Sequence, residues 1–341
     1  MSSAPKAFIT GVSGLALTDD EKAFLRTHRP WGLIVFARNV ESPRQLSLLT
    51  AEFRDCVDSE NAPVFVDQEG GRVQRLRAPH WGDFPAALTV SKLEDVEPGL
   101  GQKAARMMGE IIAGELRGSG ITVNCAPVLD VPIEGASNVI GDRAWGGGVD
   151  RISDMARAFV DGQTAGGVAE VMKHIPGHGR AMVDSHKELP VVTAPREQII
   201  ETDMAPFRNF LSIPMAMTAH VVYTALDPKN PATTSKTVIE DIIRGELGYE
   251  GLIMTDDLSM GALSGDFADR AKASFAAGCD VVLHCNGVME EMVAVANACH
   301  TVTRELQTTD AKLAELSGVV ATDLPQKRLA FADLMARLPA A

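Results

Sequence analysis

Eight short apolar runs, each bounded by Gly, Pro or Asp, recur along the 341-residue chain with longer amphipathic stretches between them. The runs are Ala7–Gly11, Gly32–Phe36, Val64–Asp67, Thr122–Ala126, Val168–Lys173, Met215–His220, Gly251–Asp256 and Asp280–Cys285. Helical periodicity fills the intervals near Thr18–His28, Pro43–Cys56, Gly101–Ser119, Ile152–Ala165, Pro195–Leu211 and Thr237–Leu247. Apolar strand-length runs alternating with amphipathic helices predict a parallel sheet covered by crossover helices. Eight such units predict one α/β domain, a single (β/α)8 barrel of the TIM type. No linker, low-complexity run or repeat divides the chain, so residues 1–341 are expected to form that one domain. Helices with alternating charges, from about Met289 onward, are expected to pack on the outside of the barrel.

In barrels of this kind function collects at the C-terminal ends of the strands, and here those ends are polar. The third run leads into Asp67-Gln-Glu-Gly-Gly-Arg72-Val-Gln-Arg75, and the fourth is followed by Asp130, Asn138 and Gly141-Asp-Arg143. Lys173-His174 ends the fifth run, Thr218-Ala-His220 the sixth and Thr255-Asp256-Asp257 the seventh. A polar pocket at that rim follows. The loop after the fifth run, Lys173-His-Ile-Pro-Gly-His-Gly179 continuing to Asp184-Ser-His186, carries three of the eight histidines.

Composition narrows the partners. A net charge of −13 lacks the electrostatic footprint of a nucleic-acid or anionic-membrane binder. No apolar run approaches membrane-spanning length, and the N-terminus lacks a signal-like apolar region, so the expected address is the cytoplasm. Five scattered cysteines with no Cys-x-x-Cys pair are expected to be buried thiols.

The chemistry of the rim residues is specific. Side chains alternate along a strand, so one of Asp256 and Asp257 faces the barrel mouth and the other the outer layer. Asp257 suits a helix N-cap better. A carboxylate at the mouth can serve as nucleophile, general base or metal ligand. Asp184, one residue from His186, can orient its imidazole for proton transfer in both directions. Lys173 and His174 suit hydrogen bonds to substrate hydroxyls, with a Schiff-base lysine as the sharper alternative. His178 is either structural or shapes the loop. Asp67, Arg72, Arg75 and Arg143 supply acceptors and donors for a polyhydroxylated ligand, although Arg72 or Arg75 equally suits an internal salt bridge.

Taken together, Asp67–Arg75, Gly141-Asp-Arg143, Lys173–Gly179 with Asp184-Ser-His186, Met217-Thr-Ala-His220 and Thr255-Asp-Asp-Leu-Ser-Met260 resemble glycoside hydrolase family 3. The likeness, in order over residues 7–290, is closest to its bacterial β-N-acetylglucosaminidases (β-hexosaminidases) of peptidoglycan recycling. It implies a retaining exo-hydrolase that removes terminal β-linked N-acetylglucosamine from muropeptides, without cofactor or metal, as a monomer. By the same resemblance Asp256 is the nucleophile, and His186 partnered by Asp184 is the acid/base. Asp67, Arg75, Arg143, Lys173 and His174 then hold the sugar. Ile175 stands where the family often has an aromatic residue, and Thr255 where it often has Ser. Many family members take the acid from a second domain, whereas here it is expected from the barrel loops.

Four rival readings remain open at this level. His174, His178, His186, His220 and Asp256 could ligate a metal, although no His-x-His marks an early strand end. A family 3 β-glycosidase of other sugar specificity is a second rival, and a non-catalytic sugar-binding barrel, which would keep Asp67, Arg143 and Lys173 without needing Asp256 or Asp184–His186, is a third. A substrate acetamido group could also replace the enzyme nucleophile, through an oxazoline.

Overall fold

The computed structural model describes residues 4–301, 304–319 and 323–339. Eight parallel strands close a barrel in sequence order: β1 Lys6–Thr10, β2 Pro30–Val35, β3 Val64–Val66, β4 Val123–Asn124, β5 Ala169–Ile175, β6 Met215–Thr218, β7 Leu252–Asp257 and β8 Val281–His284. β8 returns to β1 with Phe8 opposite Val282, which seals the ring. Each apolar run read from the sequence supplies one strand, with ends shifted by at most two residues.

Parity along these strands divides the core. Ile9, Ile34, Phe65, Val123, Val171, Met215, Met254 and Leu283 fill the barrel interior. Their sequence neighbours Phe8, Leu33, Val64, Met172, Ala216, Ile253 and Val282 face the surrounding helices. Both faces of every strand are therefore buried, which is why the runs read as continuous rather than alternating.

Local signals set the helices. In α1 (Asp19–His28) the Thr18 hydroxyl accepts from the Glu21 N–H while Glu21 reciprocates, a capping box with an acidic first turn. Ser42 caps α2 (Pro43–Val57), with proline at its first position. α3 (Leu100–Gly118) and α4 (Val149–Ala165) start at glycines, Gly99 and Gly148, with no side-chain cap, and each buries an apolar stripe.

Two crossovers depart from the expected form. The Pro195–Leu211 segment is a short α-turn at Arg196–Gln198, a π-turn at Ile199–Asp203 and a 3-10 turn at Pro206–Phe210. Proline at position 206 lacks the amide hydrogen that a continuous helix would use there. Thr237–Glu246 winds as a π-helix. Two short helices, Ala87–Ser91 and Leu93–Val96, precede α3, and the later helices are α5 (Phe267–Ala277), α6 (Met289–Ala298), α7 (Arg304–Ser317) and α8 (Leu324–Met335). The tail does more than cover the outside: Leu306 and Leu313 of α7 join the barrel-interior cluster, and Asp310 accepts a 2.7 Å bond from the Trp31 indole. α7 thus stoppers the N-terminal end of the barrel.

Candidate active site

Inward parity, continued one step past the apolar interior, generates the polar floor of the site. Phe65 leads to Asp67, Val171 to Lys173, Met215 to Met217 and Met254 to Asp256. All four new positions line one cavity of about 240 Å³, together with Val73, Arg75, Val139, Ile140, Arg143, His174, His178, Ser185 and His186. Register slips between Lys173 and Ile175, and between Met254 and Asp257, fall at this level. Irregular pairing there re-aims side chains at the strand ends.

After β3 the chain doubles back in a hairpin, Gln68–Gly70 against Val73–Gln74. Its turn places Gly70 and Gly71 at φ 98° and 58°, a left-handed region that favours glycine. The Gln68 side chain accepts from the N–H groups of Arg75 and Leu76, fixing the return strand. Arg75 consequently reaches Asp67 at 3.0 Å, and its guanidinium lies over the Phe36 ring.

The hairpin also inserts Glu69, a residue that the sequence reading left without a role. Lys173 Nζ lies 2.6 Å from Glu69 and 2.8 Å from Asp67. Arg143 forks onto the same Glu69 carboxylate at 2.8 and 2.9 Å. Three cations thus face two carboxylates. Burial pushes the Asp67 and Glu69 carboxyls up, but the Lys173, Arg75 and Arg143 charges outweigh it and hold both well down. The same balance drives Lys173 up: burial lowers its affinity for a proton, and the two carboxylates more than restore it. An ammonium so held has no lone pair for a Schiff base, which removes that alternative. Arg72, by contrast, is exposed. It ties down the 138–142 loop through the Asn138 carbonyl at 2.8 Å and Asp142 at 2.7 Å.

Asp130 organises the fifth strand end. Its fully buried carboxylate accepts from the backbone N–H groups of His174 and His178 and holds His174 Nδ1 at 2.7 Å. Burial raises its pKa, but His174 and the His178 N–H prevail and bring it to about 2. His174 is therefore held from behind by Asp130, and it lines the cavity. His178 is pushed down to about 4 by burial and by neighbouring His174, so it is neutral, and its Nε2 meets Ser185 Oγ at 3.0 Å. That contact links the two ends of the loop.

At the seventh strand end the two aspartates separate. Asp257 accepts from the backbone N–H groups of Ser259 and Cys285, so it serves the turn. Asp256 lines the cavity, and among the described residues its carboxylate accepts the 2.8 Å bond from the Asp257 N–H. Burial raises its pKa, yet His174, His220 and the Asp257 N–H leave it below the usual carboxylate value. An ionised, under-coordinated carboxylate faces the space.

His186 stands at the rim. Its Nδ1 lies 2.9 Å from Asp184 Oδ1, the ring is 66% exposed, and it lines the cavity with Asp256. For Asp184 burial raises the pKa, but the His186 N–H and imidazole together outweigh it and lower the value. The dyad leaves Nε2 free to exchange a proton with a group in the cavity.

The histidines are otherwise engaged. His220 is bonded on both nitrogens, to Thr233 Oγ1 at 2.6 Å and to the Asp257 carbonyl at 3.1 Å. Among the described residues no group of three His, Cys, Asp or Glu side chains is placed to hold a metal ion. The cavity thus brings together a carboxylate at Asp256, a carboxylate-backed imidazole at His186 and the paired charges of Asp67, Arg75, Arg143 and Lys173.

Comparison with known proteins places the chain among characterised barrels. The family model for the glycosyl hydrolase family 3 N-terminal domain matches residues 8–317. A β-hexosaminidase of Alkalilimnicola ehrlichii is 41% identical over 283 residues, 81% of this chain and 79% of its own. One from Bordetella avium is 39% identical over 287 residues, 83% and 81% of the two chains. Native NagZ from Neisseria gonorrhoeae superposes with a TM-score of 0.84 at 30% identity, covering 98% of this chain and 97% of that one. A family 3 β-N-acetylglucosaminidase from Paenibacillus gives 0.79 at 32% identity, over 98% of this chain and 62% of its own. A match spanning nearly the whole barrel, with relatives near 40% identical over four fifths of the chain, places this protein in glycoside hydrolase family 3.

Proposed function

We propose that the protein is a retaining exo-β-N-acetylglucosaminidase. In the first half-reaction Asp256 attacks the anomeric carbon while His186, protonated and backed by Asp184, gives its proton to the departing oxygen. Water then attacks the glycosyl ester, and the neutral imidazole takes its proton. Asp67, Arg75, Arg143, Lys173 and His174 hold the sugar hydroxyls. The observation that carries this reading is that Asp256 and His186, the latter paired with Asp184, line one cavity. Asp67 and Glu69 are neutralised by cations, so Asp256 is the carboxylate in that cavity able to act as nucleophile.

The sugar class follows the relatives, named β-hexosaminidases, and a neighbour, NagZ from Neisseria gonorrhoeae, solved with N-trifluoroacetyl-D-glucosamine. We assign muropeptides from peptidoglycan recycling as the substrates, and a monomer working in the cytoplasm. Among the described residues no helix is long and apolar enough to cross a membrane.

Rates on aryl N-acetylglucosaminide, glucoside and xyloside test the specificity, with the N-acetylglucosaminide expected to lead. A fluorinated sugar should trap an ester on Asp256, and Asp256→Asn should abolish turnover in a folded protein. Mass-spectrometric labelling of Asp257 instead, or tight binding of an oxazoline analogue without labelling, would replace the covalent mechanism.

A further inference from the structure

The imidazole of His186 is exposed, so side-chain packing does not fix it. Its position depends on the path of the backbone between the end of β5 and residue 186. Three contacts pin the first part of that path. Tyr223 donates its hydroxyl to the Gly177 carbonyl at 2.7 Å. Asp130 accepts from the His178 N–H at 2.6 Å. Asp203, from the π-turn of the next crossover, holds Arg180 Nε at 2.6 Å with a carboxylate only 1% exposed.

Asp203 also abuts the loop at Gly177, where an added Cβ would come within 2.8 Å of both the Asp203 Cβ and its carbonyl oxygen. The aspartate therefore touches the loop on both sides of His178. The turn continues from there: Ala181 donates to the His178 carbonyl, and the Ala181 carbonyl accepts from Ser137. Beyond it Met182 is exposed, and the chain regains partners at Ser185 and at the His186 carbonyl, which accepts from Gly261. Arg180 is the charged anchor immediately before this open stretch. Neither it nor Asp203 lines the cavity.

We propose that Asp203, through its ion pair with Arg180, is a positioning residue for His186, a latch on the loop that presents the acid/base. The proposal rests on the assignment of His186 made above. Loss of the latch leaves the sugar-binding charges and Asp256 intact but widens the range of positions that the imidazole visits. The affected step is proton transfer, so damage should scale with the leaving group's need for a proton.

The test compares Asp203→Asn, Arg180→Gln and His186→Ala, alone and as the Asp203→Asn/His186→Ala double variant, on two substrates. One is 4-nitrophenyl N-acetylglucosaminide, the other a disaccharide of N-acetylglucosamine. Asp203→Asn is expected to lose about 10- to 100-fold in kcat/KM on the disaccharide, the scale of small misplacements, and several-fold less on the aryl substrate. Arg180→Gln should behave alike, and it reads the pair from its solvent side if Asp203→Asn does not fold. In the His186→Ala background Asp203→Asn should cost nothing further. Equal losses on both substrates, or an undiminished loss without His186, would overturn the latch while leaving a selective His186→Ala effect, and so the acid/base reading, in place. Equal losses for His186→Ala itself would remove that reading and the latch with it.

Discussion

At the scale of single residues, the site couples binding to stability through buried charge. Lys173 is 2% exposed between two carboxylates, and Arg143 shares one of them. The sequence presents these cations as free donors for sugar hydroxyls, but in the fold they first neutralise Asp67 and Glu69. Removing one member of a buried pair leaves the other uncompensated, at about 3–5 kcal/mol. Lys173→Ala should therefore lower the urea midpoint substantially as well as activity, and an unchanged midpoint would show that the carboxylates find another partner. His186 offers the opposite case, exposed and outside the core. His186→Ala should leave stability unchanged. It should slow a disaccharide far more than a 4-nitrophenyl glycoside, on which a burst of nitrophenol is expected because water now attacks unassisted. Stopped-flow release of the phenol measures it.

Among elements, β5 carries the most demanding sequence, buried over all seven residues. Its inner face ends in Lys173, and its outer face places Glu170 against α4, where the Thr164 hydroxyl donates to it at 2.7 Å. Burial pushes the Glu170 carboxyl up to about 8, against the weaker pull of that hydroxyl. The folded state thus prefers the protonated form. Its contribution is full below the ordinary value of 4.5 and is lost as pH rises through about 8. Glu170→Gln should flatten that slope. Urea midpoints of both proteins at about pH 5 and about pH 9 check it, the variant gaining relative to wild type at the higher pH. A parallel pH dependence would show that the carboxylate finds compensation when ionised.

Over the whole molecule, the two ends of the barrel have separate duties. The C-terminal mouth holds the charges and the loops, whereas the N-terminal end is stoppered by α7 through Leu306, Leu313 and the Trp31–Asp310 bond. Burial raises the Asp310 carboxyl, opposed by the indole donor. Trp31→Phe should cost stability by about 1 kcal/mol for the lost hydrogen bond, plus the packing of the larger ring. Steady-state kcat and KM should not move, since the cavity lies at the other end. A drop in kcat in the folded variant would mean that the two ends are coupled.

Sequence by itself determined the barrel, because burial on both faces makes each strand a continuous apolar run and eight of them alternate with amphipathic helices. It also located the rim: polar residues that interrupt inward parity at Asp67, Lys173 and Asp256 are visible as the point where each run stops. Motif order gave the family, and adjacency gave the Asp184–His186 pair, since a contact across one residue needs no fold. Only the tertiary structure decided the rest. Glu69 joins Arg143 from 74 residues away, Asp130 orients His174 across 44, and Arg180 meets Asp203 in another crossover. Such pairings depend on which strand ends converge, and no local pattern encodes them. Strand alternation left Asp256 and Asp257 as the two candidates for the mouth, and the folded turn occupies Asp257 while Asp256 lines the cavity.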